Sequence, residues 1–186
     1  DLASIIYTSG TTGNSKGVML THLNLSWTAQ QCFTLQEIKP TDRFLSILPL
    51  SHTLENTVGF LLPLKYGASV LSLRKPPVPS VLLPAFQVVK PTIMLSVPLI
   101  IEKVFRSKIQ PEFQKSALIS KLYSVAFFRK ILHKVAAKKL HKTFGGHLHF
   151  FGIGGAKIHP TVERFLMEGG FPFAIGYGLT ETSPLL

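Results

Sequence analysis

Short apolar runs recur at residues 2–7, 44–48, 68–73, 92–97 and 147–152, each about one strand long and bounded by turn-forming residues. Helix-length segments separate them. The first run stops at a Thr/Ser/Gly cluster, as a buried strand feeding a loop does, and a helix is expected beyond that loop. Thr21 is placed to cap this helix, and Leu25, Ala29, Cys32 and Phe33 recur at about 3.6 residues per turn to form its apolar face. Alternating strands and helices predict an α/β fold, a mostly parallel sheet with helices on both faces. Pro76, Pro77 and Pro79 stiffen the connection after the third strand, and Gly145-Gly146 end a long helical region.

Composition narrows the class. With 186 residues, 46% of them apolar and 16% charged, the chain has the material for a buried core and is not disordered. The apolar stretch 58–64 is far shorter than the ~18 residues of a spanning helix, and Pro63 interrupts it. No charged start, short apolar stretch and cleavage site opens the chain, so the natural N-terminus is expected to lie upstream. Cys32 is the single cysteine, cannot form an internal disulfide, and falls on an apolar helical face, which points to packing. The net charge of +11 is uneven: residues 103–142 hold eleven of the twenty Lys and Arg and one acid, Glu112. The high isoelectric point therefore belongs to one segment and does not describe a nucleic-acid-binding surface spread over the domain.

Two stretches carry candidate chemistry. Tyr7-Thr8-Ser9-Gly10-Thr11-Thr12-Gly13-Asn14-Ser15-Lys16-Gly17 combines glycines that permit close backbone approach, hydroxyl donors and one lysine, a set suited to a polyphosphate. Ser15 and Gly17 stand where a P-loop NTPase needs Gly before the lysine and Ser or Thr after it, which excludes that class. By composition alone a plain flexible loop fits equally. In Gly176-Tyr177-Gly178-Leu179-Thr180-Glu181-Thr182, after a strand-like run at 171–175, a ring can stack on a base, a hydroxyl can reach a phosphoryl oxygen and a carboxylate can hold Mg²⁺. Alone, the motif also fits a turn with Tyr177 in the core and Glu181 solvated.

In this order the two stretches resemble the superfamily of acyl-CoA synthetases, luciferases and peptide-synthetase adenylation domains. Leu48-Pro49-Leu50-Ser51-His52 resembles its Pro-x-x-His stretch. The segment from Lys90-Pro91-Thr92 to Val97-Pro98 resembles a strand-and-turn common in it, and Gly154-Gly155-Ala156 its Gly-Gly-Ala turn. The resemblance spans essentially the whole chain and implies part of the large N-terminal domain of an adenylate-forming enzyme, an AMP-binding domain over 1–186. It carries Thr8, Ser9, Gly10, Thr11, Thr12, Gly13 and Lys16 over as the phosphate-binding loop. Tyr177 becomes the adenine-stacking ring, with Gly178 beside it, Thr180 an α-phosphate contact and Glu181 the Mg²⁺ ligand. Gly155 and Ala156 would border the adenine and acyl sites, and His52 the carboxylate entrance, a satisfied turn histidine being its alternative. Lys157 departs from the family's frequent Pro after Gly-Gly-Ala, which alters the expected pocket rim.

The reaction so implied joins a carboxylate to the α-phosphorus of ATP, releases pyrophosphate, and passes the acyl group to a thiol, with coenzyme A as co-substrate. Since a carboxylate of pKa near ~4.3 is already ionised, alignment and charge compensation replace a general base. Residues 48–52 with Glu55, and the basic segment 103–142, look most like long-chain fatty acid–CoA ligases. Relatives continue past Glu181 with a ribose-binding aspartate and a C-terminal domain carrying a lysine. Only Thr182 to Leu186 follow Glu181 in this sequence, so it is expected to be a central fragment that lacks that domain and is inactive alone.

A different class remains open: a non-catalytic nucleotide-binding or docking module. Lys130, Lys134, Lys138 and Lys142 line one helical stripe, and Phe128, Ile131, Leu132 and Val135 another, as in an amphipathic basic helix. Its expected partner is an anionic membrane, through Lys130, Lys134 and Lys138. A solvated helix face is the alternative, and nucleic acid fits less well because stacking aromatics are not interleaved with these bases. The expected location is the cytoplasm, peripheral at the inner membrane face.

Overall fold

The computed structural model describes residues 1–9 and 13–186. Two strands, β1 (Leu2–Thr8) and β2 (Lys16–Thr21), form an antiparallel hairpin of their own, with Tyr7 opposite Gly17 and Thr8 opposite Lys16. The first apolar run is therefore not a buried strand of the parallel sheet, and a second strand stands between its loop and the helix. Ile5 and Tyr7, two residues apart, and Leu2 beyond a shift of register stay exposed, because among the described residues one side of the two-stranded ribbon is uncovered.

Helix α1 (His22–Leu35) starts where expected. Thr21 Oγ1 accepts from the Asn24 amide at 3.1 Å while Asn24 Oδ1 accepts from the Thr21 amide at 2.9 Å, a reciprocal cap. Leu25, Ala29 and Cys32 are buried along one face, and burial pushes the Cys32 thiol up, as packing and not reactivity requires.

Five parallel strands make the main sheet, in the order β4 (Ser69–Ser72), β3 (Arg43–Ser46), β5 (Ile93–Ser96), β6 (Phe150–Ile153), β7 (Phe173–Ile175). Period-2 alternation sends neighbouring residues to opposite faces. Leu45, Met94, Phe151 and Ile153 pack against α3 (Pro79–Val89), α4 (Pro98–Val104), α6 (Ala126–Thr143) and α7 (Pro160–Gly169). Phe44, Ile93 and Leu95 pack on the other face against α1 and the helical turns of residues 54–65. Those turns begin as a wide helix, Leu54–Leu61, and close as α2 (Leu62–Lys65), the Leu62 amide reaching back to Thr57 O. Both faces are covered, as the alternating pattern requires. The expected basic helical segment, 103–142, is helical in pieces: the end of α4, the short helical turns Phe105–Ile109 and Gln110–Gln114, α5 (Ala117–Ser124) and α6, the last two divided at Val125.

The N-terminal ends of the central strands are tied by one buried carboxylate. Asp42 accepts from Thr92 Oγ1 at 2.7 Å, His149 Nε2 at 2.8 Å and the Lys39 amide at 2.8 Å. Burial opposes its ionisation, yet these donors together hold it below the ordinary carboxylate range. The candidate motifs collect at the opposite, C-terminal edge.

Candidate functional site

All five strands run the same way, so the segments beyond them emerge on one edge. From β3 the chain runs into residues 48–52, from β5 into Val97, from β6 into Gly154-Gly155, and from β7 into Gly176 to Thr180. The chain passes from β3 to its neighbour β4 and returns to the far side of β3 as β5, a reversal of strand order that leaves a crevice at the carboxyl ends. A cleft of about 450 Å³ lies there, lined among others by Pro49, His52, Val97, Gly155, Gly178 and Thr180. Motifs far apart in the chain thus border one space.

Backbone continuity shapes the cleft. The Gly154 amide donates to Ser96 O at 3.0 Å and the Gly176 amide to Ile153 O at 2.9 Å, extending the ladder past the strands. Gly155 has φ of +85°, which turns its backbone into the space beside Val97. Gly178 is packed so tightly on the returning tail that a β-carbon would overlap Pro184 O and lie 2.9 Å from Leu185 Cα. A short turn, Thr180–Thr182, is held by Thr182, whose hydroxyl accepts from the Leu179 amide at 2.9 Å.

The hairpin completes the arrangement: β2 packs directly against the Thr180–Thr182 turn. Thr8 Oγ1 donates to Lys16 O at 3.5 Å, fixing the two ends of the loop between the strands. Ser9, Gly13 and Lys16 are exposed there, and a β-carbon on Gly13 would meet open space. Gly10, Thr11 and Thr12 lie outside the described residues. Glu181 is exposed on the turn, and among the described residues no three His, Cys, Asp or Glu side chains gather as a metal cage. One carboxylate in the open is the provision expected for Mg²⁺, which is usually held by one or two carboxylates together with substrate phosphates.

Other candidates are placed differently. Tyr177 is 71% exposed and lines a second, apolar cavity of about 380 Å³ instead of the cleft, so its ring is largely uncovered by the core. Ala156 is exposed and lines neither space, whereas Leu54 and Gly154 border both. The apolar cavity lies under the same edge between Phe44, Val58, Ile93, Phe150, Ala174 and Leu185. Its lining comes from separate segments of the chain, and no local pattern in the sequence announces it.

Glu55 is the residue whose state is least legible in the sequence. It is 1% exposed, with Oε2 unpartnered and the Ser46 hydroxyl as the group that eases its ionisation. Desolvation pushes its carboxyl up to about 7. Gly59, one turn on, makes the room: a β-carbon there would lie 2.8 Å from Glu55 Cδ.

A family model described as AMP-binding enzyme matches residues 1–186. The chain is 31% identical over 206 residues to long chain acyl-CoA synthetase 8 of Arabidopsis thaliana, covering 97% of this chain and 29% of that protein. It is 32% identical over 206 residues to the human long-chain-fatty-acid–CoA ligase ACSBG2, covering 97% of this chain and 30% of that one. The crystal structure of ATP-bound MatB from Rhodopseudomonas palustris superposes with a TM-score of 0.72 at 26% identity, over 99% of this chain and 30% of that chain. The chain spans less than a third of the length of these relatives.

Proposed function

Because the chain belongs to the AMP-binding enzyme family, we propose that the protein it represents activates a carboxylic acid with ATP and passes the acyl group to coenzyme A, and that the acid is a long-chain fatty acid. The observation that carries the reading is the meeting of His52, Gly155 and Thr180 around one cleft, with β2 packed on the Thr180–Thr182 turn. Lys16 begins β2, the strand packed on the turn that bears Glu181.

The chain's residues divide the work. The loop and Lys16 hold the polyphosphate, Thr180 donates to the α-phosphate, and Tyr177 offers an uncovered ring for the adenine. Glu181 would hold Mg²⁺, which would supply positive charge to offset that of the phosphoryl oxygens. A carboxylate oxygen of the acid then bonds to the α-phosphorus as pyrophosphate leaves; the thiol of coenzyme A later takes the acyl carbon and AMP departs. No proton is removed from the carboxylate, so positioning carries the first step. The apolar cavity beside the cleft supports an aliphatic tail: Gly154 and Gly176 border both spaces, and its lining is mainly hydrocarbon.

The test is ATP–pyrophosphate exchange by the full-length protein with fatty acids of increasing chain length. Exchange should depend on the acid, and Glu181→Gln should lower it by about 10²–10³-fold, the usual cost of one electrostatic element at a phosphoryl centre, with unfolding temperature unchanged. Acid-independent exchange, or a Glu181→Gln protein with unaltered rate and Mg²⁺ dependence, overturns the reading.

A further inference from the structure

The basic segment plays no part in the cleft, and its structure differs from the stripe pattern of the sequence. Helix α6 buries His133, Ala137 and Leu140 against the domain, with Leu132 and Ala136 beside them. Phe127, Ile131 and Val135 instead face outward, 68%, 46% and 66% exposed, with Phe128 on their flank. Lys130, Lys134 and Lys138 project from the same side. At about 100° per residue these three lysines and the Phe127, Ile131, Val135 row share less than half of the helix circumference.

No Asp or Glu occurs anywhere from Ala117 through Thr143, and among the described residues no ion pair engages Lys130, Lys134 or Lys138. A face that mixes uncovered hydrocarbon with unneutralised ammonium groups has two demands at once, and a protein partner meets them poorly because lysine is depleted at protein interfaces. The contrast within the molecule is direct: α1 also exposes Leu23 and Trp27 but carries no Lys or Arg. An anionic lipid surface satisfies both demands, its headgroups taking the ammonium groups and its acyl boundary the apolar row. No helix of the described residues is long and apolar enough to cross a membrane, so α6 would lie in the plane of the interface.

We infer that the outward face of α6, through Phe127, Ile131 and Val135 together with Lys130, Lys134 and Lys138, docks the protein on membranes rich in anionic phospholipid. The assignment is independent of which acid the cleft activates.

The experiment is co-sedimentation of the full-length protein with vesicles of phosphatidylcholine alone or of phosphatidylcholine mixed with phosphatidylglycerol. Binding should require the anionic lipid and weaken with salt. Replacing Lys130, Lys134 and Lys138 together by Glu should weaken it on the order of 100-fold or more. Replacing Phe127, Ile131 and Val135 together by Ser should weaken it to a similar degree, since all three side chains lie outside the core of the described residues, with the unfolding temperature of each variant as the folding control. The inference is overturned if the protein ignores anionic vesicles, if neither triple variant alters sedimentation, or if α6 retains a single-stranded RNA homopolymer in place of vesicles. ATP–pyrophosphate exchange on a soluble short acid, measured in the same variants, separates loss of docking from loss of the cleft.

Discussion

His133 Nδ1 lies 2.8 Å from Glu168 Oε2, joining α6 to α7 inside the aromatic layer formed by Phe113, Tyr123 and Phe165. Tyr123 Oη and His133 Nε2 are 3.0 Å apart, and Arg129 donates to both Glu168 oxygens at 3.1 and 2.9 Å. The 2.8 Å contact is short, but its direction leaves Nδ1 without a well-aligned hydrogen-bond partner. Gly169 permits the close crossing, since a β-carbon there would lie 3.0 Å from His133 O.

This network makes the fold sensitive to acid. Burial pushes the His133 imidazole below its ordinary range despite the nearby carboxylate, and Arg129 holds Glu168 below its own. Both folded-state values are depressed, so the native state binds fewer protons than the unfolded chain, and stability is lost as pH falls below 6.5 for His133 and below 4.5 for Glu168. Urea unfolding from pH 7.5 to 5 in a Glu55→Gln background, where the opposing titration of that buried carboxyl is absent, should show this loss. His133→Gln should cost about 1–3 kcal/mol at pH 7.5 and flatten the slope below 6.5. Parallel slopes in the two proteins would show that His133 does not titrate on unfolding.

Glu55 acts in the opposite direction. Its carboxyl is raised from 4.5 to about 7, so the folded protein retains a proton that the unfolded chain releases, and stability falls as pH rises through that window. At ~1.36 kcal/mol per pH unit, ionising the buried group costs about 3 kcal/mol once the pH exceeds 7. Glu55→Gln removes the titration, so its stability relative to the parent should improve between pH 5 and 8 by an amount of that order. A difference that stays constant across this range would mean that Glu55 is solvated or paired in solution.

Gly178→Ala should damage the cleft more than the fold as a whole. The added carbon overlaps Pro184 O and presses on Leu185, so the tail and the Leu179–Thr180 backbone must separate, at about 1–3 kcal/mol and with loss of nucleotide binding. Gly146→Ala is the control: its φ of +76° carries a conformational penalty of about 1 kcal/mol, but the carbon enters open space. Calorimetric titration of ATP into both full-length variants reads the contrast. Equal affinities would show that Gly178 does not shape the cleft.

Much of the architecture is written locally. Thr21 and Asn24 lie three apart and need only each other to cap α1, and the apolar runs at 44–48, 92–97 and 147–152 supply the strands that a sheet covered on both faces buries. The Thr/Ser/Gly-rich and Tyr-Gly-x-Thr-Glu stretches stand out for the same reason, since their candidate chemistry lies in consecutive residues. The first run misleads because an apolar segment of strand length has the same period in a covered sheet and in a hairpin; only its partner, β2, distinguishes them.

Residue chemistry, the alternation of strand and helix, and the acid-free basic segment are set along the chain, because each depends on neighbours in it. Tertiary structure decided which groups meet. Parallel strand direction gathered His52, Gly155 and Thr180 at one edge, and packing turned Phe127, Ile131 and Val135 outward while drawing His133 in. It also buried Glu55, whose charge state is set by the loss of surrounding water and not by any residue beside it in the chain.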